Sequence, residues 1–136
     1  MKTLALDIGD VWTGSAISDA LGMFARPYKT VETKDLIPFL TTTLAQEPIS
    51  VLLIGYPKTM SGGKSAQTEK VEAVYQQLAA LFTTVQLILW DERLSSKRAD
   101  QLKKNHSKED KIQSHSRAAA FILSTYLDFK HLQKID

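Results

Sequence analysis

TLALDIGDVWTGSAISDA, residues 3–20, decides the fold. Its first part, TLALDIG (3–9), is an apolar run closed by Asp7 and Gly9, the pattern of a central strand that ends at a turn. Its second part, TGSAISDA (13–20), alternates and runs into another turn at DALG. Next comes FARPYKTVE (24–32), a third strand-like stretch in which Pro27 favours an edge or a bulge. Connections this short join antiparallel neighbours only, because a parallel crossover takes about a dozen residues.

Beyond residue 33 the rhythm changes. KDLIPFLTTTLAQEP (34–48) carries apolar residues at a helical period, with Pro38 tolerable in the first turn. SVLLIGYP (50–57) is apolar without interruption, as a strand covered on both faces is. SAQTEKVEAVYQQLAALFT (65–83) places Val71, Val74, Tyr75, Leu78, Ala79 and Phe82 on one helical stripe. VQLILWDE (85–92) is a further strand ending in carboxylates, SSKRADQLKK (95–104) reads as a serine-capped helix, and 112–130 as a final helix. The order β-β-β-α-β-α-β-α-α predicts an α/β protein with a five-stranded mixed sheet. Strands one to three are antiparallel, strands one, four and five parallel, helices flank the sheet, and residues 1–136 form one domain.

The chain has no cysteine, which excludes disulfides and thiolate metal sites and fits a reducing compartment. No apolar stretch approaches the roughly 18 residues of a membrane helix, and MKTLALDIG is too short a run for a secretory signal, so a cytoplasmic protein without a membrane partner is expected. The net charge is +2, unevenly spread: between Lys97 and Arg117 seven cations face three acids, a local +4, leaving −2 elsewhere. Lys97, Arg98, Lys103, Lys104 and Arg117 in that strip suit a nucleic-acid backbone, although a solvated helix face would carry the same charges.

Ligands of an open sheet gather beyond the carboxyl ends of its parallel strands. The first strand ends there in Asp7, the fifth in Asp91 and Glu92. Acids brought to one edge suit Mg²⁺ or Mn²⁺, and two such ions about 4 Å apart can clamp both oxygens of a phosphodiester displacement. Strand-end acids also cap turns and helix starts, so the pattern alone leaves both roles open. The fourth strand carries no acid, which leaves Asp7 and Glu92 two strand spacings, roughly 10 Å, apart. GYPKTMSGGKS (55–65) lacks the spacing of a triphosphate-binding loop, but its glycines, Lys58 and Lys64 suit a nucleic-acid phosphate. His115 opens the last helical segment, QSHSRAAAFIL (113–123), and shares a stripe with Ala119, Ile122 and Tyr126, as a packed structural histidine also would.

Four blocks in this order, LALDIG…GSAISDALG, IGYPKTMSGGKS, LWDERLSS and RAAAFILSTYL, resemble the YqgF (RuvX) family over roughly residues 3–128. Members are small RNase H-like proteins described as Holliday-junction resolvases and as nucleases for the 5′ end of pre-16S ribosomal RNA. The resemblance implies an RNase H-like fold, Mg²⁺- or Mn²⁺-dependent phosphodiester hydrolysis and a bacterial cytoplasmic setting. Its implied partner is a ribosomal RNA precursor or branched DNA, bound by a monomer or a weak homodimer. It maps the catalytic, metal-binding acids onto Asp7 and Glu92, with Asp91 beside the latter, and makes Arg93 a phosphate contact or a clamp on the carboxylates.

Two departures stand out. Where the family has a polar, basic run after the first acid, this chain has Asp10-Val11-Trp12-Thr13, whose Trp12 can stack on a base or pack on a neighbouring surface. Where the family has a third acid before the Ala-Ala run of the last helix, this chain has His115. A neutral imidazole can ligate Mn²⁺ or serve as a general base, so His115 joins the expected catalytic and metal set. It brings no negative charge, so the alternative is a catalytically weak nucleic-acid-binding ribosome-assembly factor. A third class, the ATP-binding sugar-kinase and actin fold, also begins with LDIG and a turn, but its two-domain architecture needs far more than 136 residues.

Overall fold

The structure, a computed structural model, describes residues 1–57, 63, 65–91 and 108–133, with side chains from 112 onward in the last segment. The elements are β1 (Lys2–Ile8), β2 (Trp12–Ser18), β3 (Ala25–Glu32), a 3₁₀ turn (Thr33–Asp35) leading into α1 (Leu36–Gln46), β4 (Ile49–Tyr56), α2 (Ala66–Leu81), β5 (Gln86–Asp91) and α3 (Lys108–Gln133). They form a five-stranded sheet in the order β3-β2-β1-β4-β5. The pairs β1/β2 and β2/β3 are antiparallel, and β1/β4 and β4/β5 are parallel. This is the mixed sheet that the spacing of the strands predicts. The expected helix over 95–104 lies outside the described residues.

Side-chain size sorts the two faces. On β1, Leu4, Leu6 and Ile8 point into a core shared with Ile17, Leu52 and Ile54, and with Leu36 and Leu40 of α1 and Val71 and Leu78 of α2. Alternate positions are small: Ala5 and Ala16 pack with Leu53 against Ala119, Ile122, Leu123, Tyr126 and Leu127 of α3. Small residues on both partners let α3 lie close to the centre of the sheet, so the alternation within TLALDI assigns α1 and α2 to one face and α3 to the other. The uninterrupted run in β4 follows from its place inside the sheet, where Leu52, Leu53 and Ile54 are all fully buried.

Pro27 sits on β3, an edge strand, beside a register shift: Gly14 pairs with Thr30, but Ala16 pairs with Pro27. Both expectations for that proline therefore hold. Ser15 mends the bulge, its hydroxyl donating to Lys29 O at 2.6 Å and accepting from Lys29 N at 3.0 Å. At the β2–β3 turn, Asp19 Oδ1 accepts from Met23 N and Phe24 N, and Gly22 takes φ +70°. Ser65 caps α2 by accepting from Thr68 N, and Thr68 Oγ1 accepts from Ser65 N in return.

The last helix starts at Lys108, a turn earlier than its apolar period indicates. His115 thus lies within the helix rather than at its opening, which corrects the expectation. Polar helical residues ahead of the first core contact leave no period to read. No helix among the described residues is long and apolar enough to cross a membrane.

Candidate active site

Asp7 follows Ala5 on the face that α3 covers, so its carboxylate points toward that helix. Across the β1–β2 pair it stands opposite Gly14. A Cβ on Gly14 would lie 2.0 Å from the backbone carbon of His115 and 2.3 Å from Ser116 N. The helix backbone therefore rests on the one position of β2 that has no side chain, and this contact sets how far α3 can approach. It places His115 Nδ1 at 3.5 Å from Asp7 Oδ2, with side chains 32% and 21% exposed. That separation exceeds a normal N–H···O bond and suits either an ion pair with imidazolium or two donors to one shared ion. Thr30 Oγ1 donates to Ile112 O at 3.1 Å and ties the same stretch of helix to β3.

The turn after β1 is braced from the opposite side. Gly9 N donates to Trp12 O, and Thr33 Oγ1 donates to Gly9 O at 2.7 Å. Thr33 N donates to Val11 O, and the Thr33 hydroxyl also meets Thr13 Oγ1 at 2.9 Å. From α2, Gln67 Nε2 donates to Ile8 O at 2.7 Å, and Lys70 pairs with Asp10 at 2.6 Å. The carbonyls of Ile8 and Gly9 are thus held by side chains from two other elements, which fixes the backbone on which Asp7 sits. None of these braces is apparent from sequence. Gly14, inside an otherwise well-formed strand, is the signal that does exist, since such a glycine marks a close approach.

The fifth strand bears on the choice between Asp91 and Glu92, which the sequence leaves open. Asp91 pairs in register with Tyr56 and shares the parity of Leu89 and Leu87, which pack on the α1–α2 side. Trp90 and Ile88 face α3 instead, Trp90 Nε1 donating to Thr125 Oγ1 at 3.2 Å. Asp91 therefore faces away from Asp7, because adjacent residues of a strand point to opposite faces. Glu92 and Arg93 lie outside the described residues, as do Lys58, Lys64, Lys97, Arg98, Lys103 and Lys104. Arg117 is described and holds Gln113 Oε1, one turn earlier, at 3.1 Å through its guanidinium; two residues on from His115, it points to a different side of the helix.

Among the described residues no three His, Cys, Asp or Glu side chains converge as a metal cluster. The 3.5 Å between Asp7 Oδ2 and His115 Nδ1 would let the two hold one ion between them. Donors each about 2.1 Å from a divalent cation stand roughly 3–3.5 Å from one another. One oxygen and one nitrogen donor suit Mn²⁺ better than Mg²⁺, which prefers oxygen throughout.

The family model for RuvX, described as Holliday junction resolvase, matches residues 1–129. A protein of Rubrobacter xylanophilus named "Putative pre-16S rRNA nuclease" is 34% identical over 128 residues, covering 93% of this chain and 92% of that protein. One of the same name from Fusobacterium nucleatum is 33% identical over 135 residues, covering 95% and 98%. Among solved structures, Thermus thermophilus RuvC in complex with a Holliday junction superposes with TM-score 0.60 at 12% identity, covering 96% of both chains. At that identity the likeness speaks for the fold alone.

Proposed function

The chain belongs to the RuvX family, and on that basis we propose that it is a divalent-metal-dependent endonuclease of structured nucleic acid. Its proposed substrate is the 5′ end of pre-16S ribosomal RNA or a branched DNA resembling a Holliday junction. The observation that carries this reading is the Asp7–His115 contact at the carboxyl end of β1, where the sheet topology gathers a ligand.

Asp7 and His115 would hold a divalent cation there, which when bound polarises the scissile phosphate and lowers the pKa of a coordinated water. Asp7 contributes the negative charge on a backbone braced by Thr33 and Gln67. His115 contributes a neutral nitrogen, its height above the sheet set by the bare Gly14. Glu92 is the proposed third group because the family resemblance maps an acid there, whereas Asp91 has the parity of Leu87 and Leu89, which pack on the other core. The basic strip of 97–117 is proposed to carry the phosphate backbone in a cytoplasmic protein.

A second reading, a catalytically weak nucleic-acid-binding assembly factor, is favoured by the same imidazole, because it supplies no charge where a carboxylate would. The two are separated by cleavage assays on a 5′-extended 16S RNA and on a four-way DNA junction, with Mn²⁺ and with Mg²⁺. Wild type is expected to cut with Mn²⁺ and Asp7→Asn to lose at least about 100-fold, the scale of one misplaced or missing catalytic group. Equal cutting by both proteins would remove Asp7 from the site. His115→Asp is expected to raise the activity supported by Mg²⁺. An inactive wild type whose His115→Asp variant stays inactive, while both bind RNA, would establish the assembly-factor reading.

A further inference from the structure

On the α1–α2 side of the sheet, just under the turn that follows Asp7, lies a cleft of about 440 Å³. Its floor is aliphatic, Leu36 and Leu78 deeply buried with Ile37 and Val74 partly so. Its rim is polar, formed by Asp10, Lys34 and Gln77. This is the make-up of a small-molecule site, an apolar slot with a few directional groups at the mouth, and the volume is enough for one nucleotide. We propose that the cleft takes one unpaired nucleobase of the nucleic-acid strand presented to Asp7, with the base, not a phosphate, inside. The proposal rests on the nucleic-acid-processing reading given above and adds a subsite to it.

Three observations point to a base. The aliphatic floor offers one face of a flat ring apolar contact through the partly exposed Ile37 and Val74, but offers nothing to an ionised phosphate, whose burial there would be strongly unfavourable. Asp10 offers carboxylate oxygens that accept readily from the N–H groups of a base edge. Lys70 holds Oδ1 at 2.6 Å, which orients the carboxylate. Gln77 presents a donor and an acceptor side by side, the pairing that reads a base edge.

The fourth observation is continuity. Asp10 follows Asp7 by three residues, at most about 10 Å of extended chain. Thr33, which also lines the cleft, donates to Gly9 O at 2.7 Å. A strand whose phosphate reaches Asp7 therefore passes over the Gly9–Trp12 turn, and a neighbouring base can drop to the other side of it. Holding that base out of its stack selects unpaired or easily unpaired sequence next to the cut, because unpairing a stable duplex carries a penalty of a few kcal/mol.

The test uses the full chain with labelled Ile, Leu and Val methyl groups, titrated without divalent metal with single-stranded hexaribonucleotides. The Ile37, Val74 and Leu78 methyls are expected to shift on binding. Filling the slot with Val74→Phe should weaken binding about tenfold, and Gln77→Ala, a surface change that leaves folding alone, about fivefold. The slope of log affinity against log salt should not change in either variant, because no phosphate contact is lost. Unshifted methyls, with or without RNA binding, overturn the proposal. So does a slope that falls by about one unit, which would put a phosphate on Lys34. Shifted methyls in a protein that cuts nothing support the cleft and sink the nuclease reading, while cutting without methyl shifts does the reverse.

Discussion

Replacing Gly14 by alanine adds one methyl group at the point where α3 rests on the sheet. The new Cβ would stand 2.0 Å from His115 C, 2.2 Å from His115 O and 2.3 Å from Ser116 N, all of them backbone atoms that no rotamer change can move. Ordinary carbon contacts lie at about 3.5–4 Å, so helix and strand must separate by roughly 1.5 Å. That displacement opens the layer in which Ala5, Ala16 and Leu53 meet Ala119, Ile122 and Leu123. Overpacking a core commonly costs about 1–3 kcal/mol, and with rigid backbone on both sides about 3 kcal/mol is the expected value. Such a loss is a large part of the roughly 5–15 kcal/mol that holds a domain together and should lower Tm by about 10 °C. The same shift would carry His115 Nδ1 from 3.5 Å to roughly 5 Å from Asp7 Oδ2, so any Mn²⁺ affinity of the pair should fall as well. Calorimetry and denaturant unfolding of Gly14→Ala measure the first effect, and Mn²⁺ titration the second. Gly22→Ala is the control: its Cβ meets nothing within 4 Å, so only the strain of φ +70° remains, about 1–2 kcal/mol. A Gly14→Ala protein no less stable than Gly22→Ala would refute the claim that helix-on-glycine contact sets the site.

Thr33→Val keeps the shape of the side chain but removes its hydrogen bonds to Gly9 O and Thr13 Oγ1; a loss of about 1–2 kcal/mol is expected, with faster amide exchange of Gly9 and Trp12. Unchanged exchange there would mean that the brace is dispensable. At the β2–β3 turn, donation from Phe24 N–H above all, with Met23 N–H adding to it, holds the Asp19 carboxyl below its ordinary value of 3.8. A lowered folded value means that the carboxylate stabilises the turn at pH above the ordinary value and loses that effect as the pH falls through the lowered one. The stability difference between wild type and Asp19→Ala should therefore shrink in acid, below about pH 4, and be constant near neutrality. A difference that persists undiminished in strong acid would show that the turn does not depend on the charge.

Local pattern made most of the architecture legible. The strand order in sequence, the antiparallel meander, the buried fourth strand, Pro27 at an edge and the apolar stripes of α1 and α2 all follow from period, turn residues and connection length. These signals act over a few residues, and a sequence displays such distances directly. Asp7 and His115 were also visible, Asp7 as a strand-end acid and His115 through the family pattern before the Ala-Ala run of the last helix.

What tertiary structure alone decided is which groups meet across long separations. Nothing along the chain says that Gly14 receives the backbone of His115, about one hundred residues later, or that Thr33 and Gln67 hold the carbonyls beside Asp7. Such contacts depend on the packing of whole elements, not on local preference. The face of Asp91 required the β4–β5 register, since a shift of one residue would exchange its side with that of Trp90. TLALDIGDVWTGSAISDA thus encodes the meander and the two sizes of core residue by itself. Only the docked helix brings its aspartate and its bare glycine together with His115, because the missing side chain of Gly14 matters once a helix backbone comes close enough to need the space.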